Sequence, residues 1–424
     1  MSKTITLNHI TKIEGHAKLN LKIDKGKITT CELSATEGAR YFEGIVKGRK
    51  YYAAHEMTSR ICGICSCAHV VAALTAIEDA LGLTISEQSY QLRVLLTLAE
   101  RIRSHATHLY FLALPDYLGY ESALSMAPDF KPQLQAALRL MKMGNGMVKL
   151  LGGRDLHPVS AGVGGWLKLP KQEEMEETRK ELLQVKKDAI ATVKLFAGLK
   201  QPEFESEAEE WFSLVDPNEY AVLRGKFASG KSSFEKHEYR KFIEEYHQPY
   251  STANFVVKED HIYFVNALAR LNNNHRQLSK DAQKALEETG LKLPSKNPFH
   301  NNLAQAIELI HCIDHAMEIC KKEIKKEEMP KITPRAGRGV GAIEVPRGTL
   351  WHEYTLDEKG IITDANIITP TAQNLFAIQE DIRKRMPSLL KKKKEEIVLD
   401  VEKLIRNYDP CFSCSAHFLE VKWL

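Results

Sequence analysis

The feature that most limits what this chain can fold into is a pair of Cys-x-x-Cys motifs near its two ends. Cys62 and Cys65 stand in Arg60-Ile61-Cys62-Gly63-Ile64-Cys65-Ser66-Cys67-Ala68-His69, and Cys411 and Cys414 in Asp409-Pro410-Cys411-Phe412-Ser413-Cys414-Ser415-Ala416-His417. If both pairs serve one site, the fold must bring residue 62 to residue 411 and tie the chain ends into one core. Asp409 reads as a helix N-cap and Pro410 as a first helical residue, so Cys411 and Cys414 are expected one turn apart at a helix start. Cys62 and Cys65 likewise precede a helical pattern. Thiolates at helix N-termini are favoured by the positive end of the helix dipole, which readies them for metal. Each pair has a histidine three or four residues after its second cysteine, on the same face.

Spacing alone leaves two kinds of metal open. Four thiolates suit tetrahedral zinc, but structural zinc sites usually draw their pairs from about 12–20 residues apart. Soft transition metals and clusters are equally served by four sulfurs. The chain has 424 residues and eight cysteines, with no signal-peptide core in MSKTITLNHI and no apolar run of membrane-spanning length. Those features point to a cytoplasmic protein and to metal or redox chemistry before disulfides. A net charge of +4 leaves no nucleic-acid footprint. The run Lys391 to Lys394, followed by Glu395 and Glu396, reads as a solvated helix face.

Periodicity predicts a mainly helical α+β protein with long core helices, an N-terminal β-sheet and a C-terminal β-hairpin. Leu19, Leu21 and Ile23 alternate with polar residues, Asp24-Lys25-Gly26 turns, and Ile28 to Leu33 returns. Val70, Leu74, Ile77 and Leu81 recur at helical spacing up to Gly82, and a second helix runs from Ser89 to Leu114, ended by Pro115. A long helix spans Gln172 to Leu199 on the stripe Leu182, Val185, Ile190, Val193 and Phe196, with Pro202 beyond it. Another covers Asn301 to Glu328. Pro334 to Gly348 reads as loop. Leu350 to Leu356 and Ile361 to Thr369 flank the turn Asp357-Glu358-Lys359-Gly360, and two helices close the chain. The organisation expected is a β-rich segment 1–56, a helical core 57–202, a peripheral insertion 203–257, more helical core 258–330, a hairpin and cysteine segment 331–417, and a tail 418–424.

Both cysteine motifs resemble the two signatures of the nickel–iron hydrogenase large subunit, Arg-x-Cys-Gly-x-Cys-x-x-x-His and Asp-Pro-Cys-x-x-Cys-x-x-His. Other segments match in the expected order: Thr11-Lys12-Ile13-Glu14-Gly15-His16, Arg40-Tyr41-Phe42-Glu43-Gly44 and Val345-Pro346-Arg347-Gly348-Thr349-Leu350. The resemblance spans the chain and is similar to the cytoplasmic multi-subunit type, sulfhydrogenase-like or otherwise cofactor-coupled. It implies that family's large-subunit fold and reversible, heterolytic cleavage of H₂ to protons and electrons. Carried over by position, it implies that Cys62 and Cys411 bind nickel terminally. Cys65 and Cys414 would bridge nickel to an iron carrying cyanide and carbonyl ligands. It further implies that His69 hydrogen-bonds a bridging sulfur, that Pro346, Arg347, Leu350, Pro370 and Thr371 wrap the diatomic ligands, and that Glu43, the Ile367 carbonyl and His417 hold a Mg²⁺-like ion.

Splitting H₂ heterolytically needs a hydride acceptor beside a base. By resemblance Cys411 takes the proton, Arg347 strengthens the polarising field and Glu14 is the next proton stop. Electrons would leave to an iron–sulfur small subunit, then to further, diaphorase-like electron-transfer subunits, since Cys31, Cys67, Cys312 and Cys320 form no ligand array. Metal-insertion proteins and a maturation endopeptidase removing the tail 418–424 complete the implied partners; no nucleic acid and no direct membrane span are expected. Where many members carry an aspartate near the site, alignment on His105 and His108 places Ser104. His311 and His315, one turn apart, read as a satisfied helix surface. A metal-free relative, similar to the quinone-side subunit of respiratory complex I, is opposed by the presence of all four cysteines.

Overall fold

Leu19, Leu21 and Ile23 are buried while their neighbours face outward, as a strand lying on a core requires. They belong to β2 (Ala17–Asp24), the middle strand of an antiparallel sheet with β1 (Lys3–Leu7) and β3 (Lys27–Ala35). The structure is a computed structural model and describes residues 3–25, 27–38 and 41–416. Gly26, Arg40, His417 and the tail 418–424 lie outside the described residues.

Helix α1 (Ser66–Leu81) carries the expected apolar spacing and ends where Gly82 takes a left-handed φ of +62°. All of α1 except Thr75 and Asp79 is buried, so it is a central helix with no solvent face. Helix α2 (Glu87–Thr107) starts at Ser86, whose hydroxyl accepts from the Ser89 N–H, and is buried throughout from Leu92 to Ala106. Pro115 does not end it as the pattern predicts. The chain passes through a π-helical segment, His108–Ala113, and resumes as a short helix, Leu114–Leu118. Pro115 sits in the first turn of that helix, where a missing N–H costs nothing.

Helix α3 (Lys131–Gly152) packs along α2, and α4 (Gln172–Ala197) buries Leu182, Val185, Val193 and Phe196 with Ile190 half-buried. Helix α5 (Asn301–Cys320) lies between α2 and α4 and stops at Cys320, not Glu328. Beyond it the N–H groups of Ile324 and Lys325 donate to the side-chain amides of Gln172 and Gln88, at 2.8 and 2.7 Å, instead of to carbonyls one turn back. No helix is long and apolar enough to cross a membrane among the described residues.

The largest departure from the sequence pattern is at 337–345. The expected loop is a strand, β4 (Gly337–Val345), which pairs with β5 (Gly348–Leu356) and through it with β6 (Ile362–Ile368). The C-terminal hairpin is therefore a three-stranded sheet. Gly337, Gly339 and Gly341 point one way at period two, against the backbone of α1. A Cβ on Gly339 would lie 2.1 Å from the Ala80 nitrogen and 2.2 Å from the Ala76 oxygen; one on Gly341 would lie 2.5 Å from the Ala72 oxygen. The glycines let a strand rest directly on a helix. Val340 and Ala342, on the other face, join a second core with Trp351.

That second core is built largely from the charge-rich stretch 203–257. Its short strands, among them Ser213–Val215, Lys226–Ala228 and Ile243–His247, bring Phe212, Phe227, Phe234 and Tyr239 onto Trp351. Ring centroids of Phe227 and Tyr239 each lie 5.1 Å from that of Trp351.

Helices α6 (Pro370–Leu389) and α7 (Lys394–Asn407) close the chain as expected, with Lys391 to Lys394 exposed between them. Gln379 of α6 accepts the Leu33 N–H of β3 at 2.9 Å, so the N-terminal sheet and a C-terminal helix share one core. The whole is mainly helical, with small and mostly antiparallel sheets.

Gly339→Ala should destabilise the chain by about 3 kcal/mol, because the backbone of α1 cannot yield to a new methyl group. Gly146→Ala, in an exposed helical position with nothing near its added Cβ, should stabilise by about 0.5–1 kcal/mol. Denaturation midpoints of the two variants should therefore move in opposite directions; a Gly339→Ala midpoint at or above that of the parent would refute the strand-on-helix contact.

Candidate metal centre

The last cysteine motif is stitched along the backbone to the N-terminal motif, whose Glu14 also reaches Cys62. Glu14 and Cys411 form an isolated parallel β-bridge, and the Phe412 N–H donates to the Glu14 carbonyl at 3.0 Å. Gly15 follows with φ +81° and lies so close that a Cβ there would stand 2.8 Å from the Ser413 nitrogen. A glycine is needed at that crossing.

Cys65 occupies the N-cap position of α1, and Cys411 that of a short final helix, α8 (Phe412–Ser415), with Cys414 inside it. The first cysteine loop is held by side chains of α2. Glu100, fully buried, accepts the N–H groups of Cys67 and Ala68 at 2.8 and 3.2 Å, capping α1 from a neighbouring helix. Arg103 donates to the Ile64 carbonyl at 3.0 Å.

The four sulfurs of Cys62, Cys65, Cys411 and Cys414 lie within 4.8 Å of one another, all buried; among the described residues no other group of His, Cys, Asp and Glu converges in this way. Cys411 Sγ is 3.7 Å from Cys62 Sγ, 3.8 Å from Cys65 Sγ and 3.0 Å from Cys414 Sγ. A metal about 2.3 Å from each of four tetrahedral sulfurs spaces them about 3.8 Å apart, so the set fits thiolate-bound metal. Cys31, Cys67, Cys312 and Cys320 are buried and unpaired with one another.

The expectation that helix N-termini lower these thiols is not what the site shows: Cys62 alone of the four is held low, and by neighbouring thiols. Hydrogen bonds from Cys411, Cys414 and Cys65 hold Cys62 well below the usual thiol range. Burial, then the crowding by Cys414, Cys62 and Cys65, drives Cys411 well above it. Four sulfurs in one dry site cannot all ionise without a cation, and this outweighs the helix dipole.

Around the sulfurs the structure gathers most of the residues singled out from the sequence. Glu14 Oε2 accepts from the Cys411 thiol at 2.9 Å and from the Ser413 N–H at 3.2 Å, and Oε1 lies 3.8 Å from Cys62 Sγ. Burial raises the Glu14 carboxyl above its ordinary value, reinforced by Cys62 and opposed by its bond to Cys411. Arg347 is buried; its Nη1 donates to Cys65 Sγ at 3.5 Å and to Ser104 Oγ at 3.3 Å, while Nη2 pairs with Asp409 Oδ1 at 3.0 Å. His69, Pro346, Arg347, Leu350, Pro370 and Thr371 line one pocket with Cys65, Cys411 and Cys414. The Thr371 hydroxyl accepts the Cys411 N–H at 2.8 Å, and His69 Nδ1 lies 3.0 Å from His352 Nε2. Glu43 Oε1 accepts the Ile367 N–H at 2.7 Å, which brings two of the three residues assigned to the Mg²⁺-like ion together; His417 lies outside the described residues.

One of the residues named from the sequence has another role, one is met where the alignment puts it, and one is missed. Asp409 is no N-cap: at φ +50° it turns back to hold Arg347, and Gln305 Nε2 donates to its Oδ2 at 3.0 Å. Ser104 contacts Arg347 where a carboxylate is common in the family the motifs resemble. Glu100 stands among Arg101, Arg103 and Ser104, so nothing in the local sequence sets it apart from an ordinary charged helix position.

A family model described as nickel-dependent hydrogenase matches residues 40–146 and 268–417. The alpha chain of sulfhydrogenase 1 from Pyrococcus furiosus is 34% identical over 98% of this chain and 98% of its own length. A subunit of the F420-non-reducing hydrogenase from Methanothermobacter marburgensis is 31% identical over 98% of this chain and 95% of its own. The crystal structure of an NAD⁺-reducing NiFe-hydrogenase in the H₂-reduced state superposes with a TM-score of 0.88 at 24% identity, covering 98% of this chain and 99% of that one. At that identity the likeness speaks for the fold.

Because Cys65, Cys411 and Cys414 are held up and must shed protons to bind, metal affinity should climb with pH. In calorimetric titrations of the metal-free chain with Ni²⁺, the apparent affinity should rise about tenfold or more per pH unit between about pH 6.5 and 8.5, with protons released. An affinity independent of pH would mean the sulfurs are not the ligands.

Proposed function

The chain belongs to the nickel-dependent hydrogenase large-subunit family, and on that premise we propose that it cleaves and forms H₂ heterolytically at a nickel–iron pair held by Cys62, Cys65, Cys411 and Cys414. The observation that carries this reading is the convergence of four buried sulfurs from both ends of the chain beside a carboxylate and a guanidinium. The sulfurs of Cys62, Cys65, Cys411 and Cys414 would hold the nickel and the iron, soft donors that suit such metals. When bound, the metal pair supplies the electron-pair acceptor for H₂ and the outlet for its two electrons.

The protein's own groups handle the proton and the field. Cys411 Sγ takes the proton released from H₂ and passes it to Glu14 Oε2, 2.9 Å away. Raised by burial above its ordinary value, the Glu14 carboxyl is readier to take that proton and release it outward. Arg347, always charged, sets a fixed positive charge beside the sulfurs, and Asp409 keeps the guanidinium oriented. The side chains of Pro346, Leu350 and Pro370 wall the pocket on its apolar side and exclude water. His69 is read as the donor to a bridging sulfur, and Glu43, Ile367 and His417 as the place of a Mg²⁺-like ion.

Electrons would leave to an iron–sulfur partner subunit, because no second cluster of thiols is present among the described residues. The wider setting proposed is a cytoplasmic complex with further electron-transfer subunits, in keeping with relatives named as subunits of sulfhydrogenases and F420-non-reducing hydrogenases.

Metal analysis of this subunit, separated from its iron–sulfur partner, should find nickel and iron in equal amounts; zinc alone would end the reading. Cys411→Ala should abolish H₂ turnover. Glu14→Gln should keep both metals and lower H₂/D₂O exchange by about 10²–10⁴-fold, and exchange at the parent rate would remove Glu14 from the proton route.

A further inference from the structure

Arg347 projects from an unusual turn. Val345 pairs with Gly348, leaving Pro346-Arg347 as a two-residue connection between β4 and β5. Such connections normally rely on positive φ at their central residues. Proline cannot adopt it and Arg347 does not, so the turn is of the unprimed kind that suits proline and glycine at these positions but tends to splay the strands it joins, and it needs support from outside.

A buried arginine from another element grips it. Arg270, within the helix Ala267–Asn274, donates Nη1 to the Val345 carbonyl at 2.8 Å and Nη2 to the Pro346 carbonyl at 2.9 Å, the two carbonyls that precede Arg347. Arg270 is fully buried and is itself locked by Glu308, with Nε–Oε1 at 2.6 Å and Nη2–Oε2 at 2.8 Å, and by Glu344 Oε2 at 3.1 Å. Glu308 is held in turn by the Tyr220 hydroxyl and His105 Nε2, both at 2.7 Å. Against the upward push of burial, the charge of Arg270 keeps Glu308 well below the usual carboxylate range, so the pair stays ionic. Breaking such a network costs more than packing alone would repay, which makes a costly device worth explaining.

We propose that Arg270, clamped by Glu308, is a positioning residue that fixes the Pro346-Arg347 turn and thereby aims the Arg347 guanidinium at the sulfur site. Arg270 reaches the two carbonyls with a rigid planar fork that lysine cannot reproduce. A displacement of the guanidinium by about 1 Å is enough to cost roughly a hundredfold in rate. The proposal rests on the reading of Arg347 given above.

The test is a double-mutant cycle on the intact complex with Arg270→Lys, Arg347→Lys and the pair, reading nickel content, H₂ turnover at saturating gas, and hydrogen–deuterium exchange of peptides covering 344–349. Arg270→Lys should keep its nickel, lose about a hundredfold in turnover, and exchange faster at 344–349 while α3 exchanges as before. The double variant should be no slower than Arg347→Lys alone. Full turnover in Arg270→Lys, or losses that multiply in the pair, would overturn the proposal. If Arg347→Lys itself turns over at the parent rate, the earlier reading of Arg347 fails, and the exchange data alone then judge the clamp. Should Arg270→Lys lose its nickel, Glu308→Gln carries the same cycle; loss of nickel there too would make the network a folding device and sink the proposal.

Discussion

Two stretches of chain separated by more than three hundred residues form a single backbone crossing, in which Glu14 pairs with Cys411 and Gly15 passes against Ser413. That crossing fixes the last cysteine pair and lays the Glu14 carboxylate beside Cys411 and within reach of Cys62. The loop before α1 is held to the same spot by Glu100 and Arg103 of α2. The closure is costly in chain entropy and needs a large core behind it. That core is supplied by α1 and α2, which have almost no solvent face, and by α6 packed under the N-terminal sheet.

The site is also an electrostatic problem solved by the surrounding fold. Four thiols in a dry pocket resist ionisation, and only Cys62 is held low before a cation arrives. The elements around them carry charge inward with its partner in place: Glu100 beside Arg103 and on the α1 amides, Arg347 on Asp409, Arg270 on Glu308. Each places a full charge where water cannot screen it, so each acts over several ångströms. On the proposal made above, the Arg270–Glu308 pair supports the hairpin turn that carries the Arg347 guanidinium to a fixed position.

Much of this was legible in the residues. Period-two burial at Leu19, Leu21 and Ile23, the helical spacing ending at Gly82, and the two cysteine motifs all state their structure locally. What was not legible depends on partners distant in sequence. Gly337, Gly339 and Gly341 look like loop residues until α1 is laid against them; their regular alternation was the available clue. Pro115 looks like a stop because a π-helical segment cannot be read from one sequence. Asp409 looks like an N-cap because its real partner, Arg347, lies far upstream. The helix ending at Cys320 continues on paper to Glu328, since nothing local reveals that Gln88 and Gln172 will claim its amides.

The most direct test of the central idea is X-ray absorption at the nickel edge of the purified complex. The proposed function predicts a nickel surrounded by sulfur at about 2.3 Å, the distance thiolates adopt around a metal of this size, with an iron scatterer just beyond. Nickel bound to nitrogen and oxygen instead, or sulfur coordination that survives loss of either cysteine pair, would show that the two ends of the chain do not share one metal site.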